Sequence, residues 1–456
     1  IKMLKCLVKL GFMEVIIIGA IAAGMSTAAK AKRENPNANI TVIEKEDYVS
    51  FGACGLPYYL GDQFTDENEM FARTPQQMTD SGINLMLKSE VINIDFENKS
   101  VNIKNLDDNS VSTKDYDRLM IASGASAVVP NIEGVKSSNA YTFTRLDQVN
   151  KLKSNLDNYK NVVIVGGGFI GVEVADQLAS YDLNVTLIHS NEHLMNSIFD
   201  SDFSIKIKEA LEDLDVNLIL NDRATSLVCE DDKIVKVLTS NHEIAADAVI
   251  FATGFKPNTQ FISDGIAKSS NGAIIIDEYG QTSIQDVFAA GDCATVPHQF
   301  LDNPYIPLAT YANKLGRIIG TNIVSEKEDW IKFNGALGTS YLKAGHYEAA
   351  VTGLLEDEAK ALGLNVKSTL VNANNHSNYY PDQELIMIKL VYDAETFVLY
   401  GAQIAGKAEA VLRITALTTA IYAKLTTKDL GFMDFGYAPP FASTWEALNI
   451  AANTAK

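Results

Sequence analysis

Twice in this chain an apolar strand runs into a glycine-rich turn and then into a helical stretch, and nothing else in the sequence restricts the fold as severely. The first instance is Val15-Ile16-Ile17-Ile18, then Gly19-Ala20-Ile21-Ala22-Ala23-Gly24 and an alanine-rich segment to Arg33. A second strand, Ile40-Thr41-Val42-Ile43, follows and ends in Glu44. The second instance is Val162-Val163-Ile164-Val165, then Gly166-Gly167-Gly168-Phe169-Ile170-Gly171, a helical segment with Glu173, and Val185-Thr186-Leu187-Ile188 ending in His189. Short, wholly apolar strands alternating with helices indicate parallel sheet buried on both faces. In such a unit the turn brings backbone N–H groups and a helix N-terminus to a pyrophosphate, and an acid after the second strand accepts a hydrogen bond from a ribose hydroxyl.

Gly19, Ala22, Gly24, Glu44 and Lys45 are therefore candidate contacts for one dinucleotide, and Gly166, Gly168, Gly171, Glu173 and His189 for another. Ile21 replaces the middle glycine of the first fingerprint, whereas the second is complete. His189-Ser190 stands where an acid would select NADH and a nearby arginine NADPH; with no visible clamp for a 2′-phosphate, the balance leans to NADH. Two adjacent dinucleotides most simply mean a flavin reduced by a nicotinamide.

Two further strand-to-glycine segments, 117–124 with Ser123 and Gly124 and 247–254 with Gly254, are expected where the chain crosses between domains. Residues 282–292 end a strand in Gly291-Asp292, whose carboxylate could hold flavin ribityl hydroxyls. Cys54, in Ser50-Phe51-Gly52-Ala53-Cys54-Gly55-Leu56-Pro57-Tyr58-Tyr59, has Tyr59 where the second cysteine of a C-x4-C disulfide would stand. Its redox partner must come from elsewhere, as a small-molecule thiol or through a sulfenic acid. Pro57 suggests a helix starting just beyond Cys54, a placement that favours a thiolate.

The four cysteines, Cys6, Cys54, Cys229 and Cys293, are widely separated, and none of the six histidines has ligand spacing, so no metal site is expected. They suit a reducing, cytoplasmic setting. A net charge of −19 argues against nucleic-acid or anionic-membrane partners. No apolar run reaches the roughly 18 residues of a membrane-spanning helix. Beyond Trp330, the run Leu385-Ile386-Met387-Ile388-Lys389-Leu390-Val391-Tyr392 reads as a strand, an Ala/Leu/Ile stretch to Lys424 as helix, and residues 445–450 as a short amphipathic helix, together an α+β domain.

Taken together, these motifs resemble the flavoprotein pyridine-nucleotide disulfide oxidoreductases, in the single-cysteine branch that contains coenzyme A-disulfide reductase, NADH oxidase and NADH peroxidase. The segments 54–59, His376-Ser377-Asn378-Tyr379-Tyr380-Pro381 and Tyr437-Ala438-Pro439-Pro440-Phe441 look most like the coenzyme A-disulfide reductases. The resemblance implies an α/β fold of two Rossmann-like dinucleotide-binding domains, for FAD and NAD(P)H, plus a C-terminal α+β dimerisation domain. Residues 1–12, too short for a stable helix in water, are expected to be a disordered leader, and beyond them the expected division is an FAD domain at 13–120 and 246–325, an NAD(P)H domain at 121–245, and a homodimer-forming domain at 326–456. The resemblance implies catalytic roles for Cys54, Tyr379 and Tyr437, with the tyrosines supplied by the partner chain. Coenzyme A would form a mixed disulfide on Cys54, with Arg33 and Arg73 at its phosphates. The oxidase and peroxidase members carry a histidine where Ala22 stands, which lowers the oxygen-reducing reading. The expected acceptor is thus a small disulfide or persulfide, with oxygen, in a water-forming NADH oxidase, as the alternative and a flavin-based redox sensor as a third reading.

Overall fold

The structure, a computed structural model, describes residues 13–407 and 410–456; the expected leader at 1–12 lies outside the described residues. The chain divides into two compact units. One comprises residues 13–55, 66–126 and 255–336; the other comprises 56–65, 127–254 and 337–456.

The first unit is built on a five-stranded parallel sheet in the order Val287–Ala289, Arg118–Ile121, Glu14–Ile18, Asn39–Ile43, Asn84–Met86. Val15, Ile16, Ile17 and Leu119 are fully buried in it, as runs without polar alternation require. The helix Ala22–Glu34 crosses from the first strand to the second and packs closely on Ala309–Asn322. That approach depends on small residues: a Cβ at Gly316 would lie 2.6 Å from the Ala23 carbonyl oxygen. Thr27 spans the contact, donating its hydroxyl to the carbonyls of Ala23 and Gly316 at 2.9 and 3.0 Å.

The second unit repeats this plan in a parallel sheet ordered Asn217–Ile219, Asn184–Ile188, Asn161–Val165, Ala248–Phe251, Ala140–Thr142. Its C-terminal part is a five-stranded antiparallel sheet, Ser340–Ala344, Tyr347–Gly353, Leu399–Gly406, Leu385–Asp393, Val366–Asn374, covered by helices that include Ile414–Tyr422. The final helix spans Ala447–Asn453, two residues later than the sequence suggests, because Glu446 caps it by accepting from the Leu448 N–H.

The two strand-to-glycine segments expected at domain crossings form interior strands of their sheets, and the chain passes from one unit to the other soon after each, at 126–127 and 254–255. Two three-stranded antiparallel sheets, at 89–115 and 224–245, were not legible in the sequence. Their strands mix exposed and buried positions irregularly and carry bulges at Val91/Asn93 and Val228/Cys229, which blur the two-residue period.

The repeat extends to atomic detail. Gly19 and Gly166 have φ of +99° and +116°, and donate their N–H to Ile43 and Ile188 carbonyls at 2.8 and 2.9 Å. A Cβ on Gly24 or Gly171 would lie 1.8 Å from the carbonyl oxygen of Gly19 or Gly166. The middle position is different, since Gly168 has φ −88° with nothing within 4 Å of a Cβ, and Ile21 has φ −98°. This explains why the fold accepts isoleucine there. Gly171→Ala should therefore cost about 3 kcal/mol or more in thermal unfolding, whereas Gly168→Ala should stay within about 1 kcal/mol of the parent. Equal losses in the two variants would contradict this assignment of the glycines.

Candidate active site

Both glycine turns present an anion with the start of a helix of suitable length. The helices Ala22–Glu34 and Phe169–Leu178 have neither a capping side chain nor an acidic residue in the first turn, which leaves their first N–H groups to an external acceptor. Ala22 opens the first helix. Below this turn Glu44 is buried, its carboxylate accepting from Ala20 N–H at 2.7 Å and Glu46 N–H at 3.1 Å, while Lys45 beside it is exposed. At the second turn His189 Nδ1 accepts from Gly167 N–H at 3.1 Å. That bond requires the neutral tautomer, with Nε2–H facing Asn196 Oδ1 at 3.3 Å, and burial lowers the imidazole's pKa accordingly.

In the first unit, Gly291 has φ +80° and aims the chain into Asp292. Burial pushes the Asp292 carboxyl up, and among the described residues no hydrogen-bond donor meets it. A desolvated carboxylate without a partner fits a site that receives hydroxyl donors from a ligand. Ser123 and Gly124 are locked to Asn258 through Ser123 Oγ to the Asn258 carbonyl, 2.7 Å, and Asn258 N–H to the Gly124 carbonyl, 3.0 Å. In the second unit, Gly254, at φ +107°, accepts from Val128 N–H at 2.9 Å. Cys293, next to Asp292, is fully buried, and burial raises its thiol to about 11, so it is no nucleophile.

Cys54 is exposed in the 3-10 turn Ala53–Gly55, which runs directly into the helix Leu56–Leu60 with Pro57 as its second residue. The loop ahead of it is pinned by Gly52 N–H to the Met70 carbonyl, 2.7 Å, and by the packed rings of Tyr48, Phe51 and Phe71. Arg33 and Arg73 are exposed, and among the described residues neither is ion-paired.

In the second unit Tyr379 and Tyr437, 58 residues apart, share a hydroxyl–hydroxyl hydrogen bond of 2.5 Å. It lowers the Tyr379 phenol and raises that of Tyr437. The loops that carry them are joined by Ser377 N–H to the Pro439 carbonyl, 3.3 Å. Arg413 clasps both loops, donating Nη2–H to the carbonyls of Asn375 and Phe441 at 2.8 and 2.9 Å while its Nε–H meets buried Glu446. Arg413 escaped the sequence reading because it lies outside every motif; only folding gathers its three partners.

Two nucleotide-type turns on duplicated parallel sheets, with an exposed thiol after the first, define a two-dinucleotide oxidoreductase. The chain belongs to the pyridine nucleotide-disulphide oxidoreductase family, whose profile matches residues 13–316, and the family's dimerisation domain matches residues 339–448. It is 35% identical to an NAD(P)H coenzyme A polysulfide/persulfide reductase of Pyrococcus horikoshii, over 97% of this chain and 98% of that one. It is 32% identical to an NADH oxidase of Enterococcus faecalis, over 97% and 99% of the two chains. The solved structure of a water-forming NADH oxidase from Lactobacillus brevis bound to NADH superposes with a TM-score of 0.93 at 30% identity, covering 97% of this chain and 98% of that one. Like these relatives, the protein is an oxidoreductase. Among the described residues no helix is long and apolar enough to cross a membrane.

Arg413→Ala should leave Glu446 buried without its cation and unfasten both tyrosine loops. The expected loss is about 3–5 kcal/mol, measured by thermal unfolding, and a variant with the parent's unfolding temperature would refute the clasp.

Proposed function

We propose that this protein is an FAD-dependent NAD(P)H oxidoreductase that reduces coenzyme A disulfide, or a related low-molecular-weight disulfide or persulfide, through Cys54. One observation carries the reading: an exposed thiol with tyrosine at the C-x4-C position, in a chain with two dinucleotide turns. A thiol so placed cannot close the local disulfide of a dithiol enzyme, and in this reading its disulfide partner is a small-molecule substrate.

FAD would be held by the turn from Gly19 to Gly24, with Ala22 at its helix start, Glu44 and Lys45 at the adenosine end, Ser123 and Gly124 beside it, and Gly291 and Asp292 at the ribityl hydroxyls. NADH or NADPH would be held by Gly166, Gly168, Gly171, Glu173, His189 and Gly254. Bound FAD supplies a two-electron relay between the nicotinamide and a thiol–disulfide couple. The Cys54 thiolate attacks one sulfur of the disulfide RSSR, forming Cys54–S–S–R and expelling RS⁻. Tyr379 and Tyr437, contributed by a second copy of the chain in a homodimer, would protonate the leaving thiolate, since a phenol remains an O–H donor at neutral pH. Reduction of the mixed disulfide returns the Cys54 thiolate and releases the second thiol. The sum is RSSR plus NAD(P)H plus a proton giving two RSH and NAD(P)⁺. The exposed guanidinium groups of Arg33 and Arg73, without an ion pair among the described residues, suit the phosphates of coenzyme A. The reading places the enzyme in the cytoplasm.

The second reading is a water-forming NADH oxidase, favoured by the Enterococcus and Lactobacillus relatives. Ala22 speaks against it, because a methyl group can neither stabilise a cysteine sulfenic acid nor move protons where that branch carries an imidazole.

Anaerobic turnover of NADH and NADPH with coenzyme A disulfide, scored by thiol release, with oxygen uptake measured in air, separates the two. Two thiols per nicotinamide and slow oxygen uptake are expected; fast oxygen consumption without disulfide turnover would make the protein an oxidase. Cys54→Ser should keep its flavin colour while disulfide reduction falls to background, and parent-level reduction in that variant would remove Cys54 from the mechanism.

A further inference from the structure

The segment that follows Cys54 is tied into the second unit at both ends, and the two ends differ in chemistry. At the far end Tyr181 donates its hydroxyl to the Leu60 carbonyl at 2.8 Å and to Asp62 at 2.6 Å. Lys153 pairs with Asp62 at 2.8 Å and lies over the Tyr59 ring, 4.0 Å from its centroid. These ties do not change near neutral pH. The hydrogen bond from Lys153 holds the Asp62 carboxyl below its usual range, and burial pushes the Tyr181 phenol upward.

At the near end, four residues after Cys54, the Tyr58 hydroxyl donates to Glu173 Oε1 at 3.3 Å. Among the described residues it is the only hydrogen-bond donor to that carboxylate. Glu173 sits on the Phe169–Leu178 helix that begins at the second glycine turn. Burial pushes its carboxyl up to about 7, a rise that the Tyr58 bond opposes and the like charge of Asp176 supports.

Among the described residues, no cation on the surrounding elements pairs with Glu173. The strands Asn161–Val165 and Asn184–Ile188 carry none. On the helix Ser201–Glu212, Lys206 and Lys208 pair with Glu209 and Glu212, and Asp202 is exposed. Lys343 and Glu348 line a cavity on the side of Tyr58, and Lys153 is engaged by Asp62.

We propose that Glu173 is a proton-controlled positioning residue, setting through the Tyr58 hydroxyl how firmly the Leu56–Leu60 helix is held, and with it the Cys54 turn that is covalently continuous with that helix. The functional part of this inference rests on Cys54 being the redox thiol. An ionised Glu173 accepts a charge-assisted bond, roughly twice as strong as the bond to the neutral acid. Above pH 7 the helix is therefore held tightly, and below it the tie slackens. Because the carboxyl's pKa is raised above the ordinary 4.5, its contribution to folding stability is full below pH 4.5 and is lost as pH rises through about 7. Tight holding of the helix and overall stability thus run in opposite directions with pH.

The test is hydrogen exchange of the 54–62 peptide in the FAD-loaded full chain, corrected for intrinsic exchange rates, at pH 6 and pH 8. Protection in the parent should rise about fivefold between the two. It should stay flat in Glu173→Gln and in Tyr58→Phe, and the rise should return in Glu173→Asp; Tyr58→Phe serves if the glutamine variant loses its flavin. A flat parent profile, or a glutamine variant that follows the parent, overturns the proposal. Cys54→Ser should keep the pH-dependent protection. If that variant also reduces disulfide at the parent rate, the functional reading fails while the Glu173–Tyr58 coupling stands. A flat parent whose turnover does require Cys54 defeats the coupling alone.

Discussion

The carbonyl oxygens of Gly19 and Gly166 occupy the space that a side chain would need at Gly24 and Gly171, and the rest of the molecule is arranged around those two contacts. With a Cβ only 1.8 Å from the oxygen, the helix after each turn could not lie so close to the strand before it. Its N-terminus would then swing away from the sheet edge where an anion can reach the uncapped N–H groups. The left-handed backbone of Gly19 and Gly166, each blocked by the carbonyl of the neighbouring strand at Ala122 or Ala252, completes the same lock. The close packing of helix on strand at each turn follows from it.

Carboxylates are distributed around these turns with different fates. Among the described residues, Glu44 is buried but fed by two backbone N–H groups, Asp292 is desolvated and meets no donor, and Glu173 has a single phenol. The difference decides what each can do. A carboxylate already satisfied by backbone holds the turn in shape, one left without a donor suits a ligand's hydroxyls, and one whose carboxyl burial has raised, with a single donor, responds to pH.

Much of the candidate site was legible because its pattern depends on local spacing. The glycines, the acid after the second strand, Cys54 with Tyr59 five residues on, and Pro57 inside the next helix all follow from neighbours in the chain. Arg413 and Tyr58 were not legible. Arg413 acts through carbonyls 38 and 28 residues away, and Tyr58 through a carboxylate 115 residues away.

By itself the sequence determined the two dinucleotide-type units, the lone cysteine of the 50–59 segment and the α+β character of the C-terminal region. Each rests on apolar runs, on glycine's freedom at positive φ and on a missing second cysteine, all of which act over a few residues. Only the tertiary structure decided that segments 117–124 and 247–254 are interior strands of their sheets, that Tyr379 and Tyr437 share a hydrogen bond, and that partial burial raises the Glu173 carboxyl. Partners distant in sequence and desolvation come into being only when the chain closes on itself, and no local pattern encodes either of them.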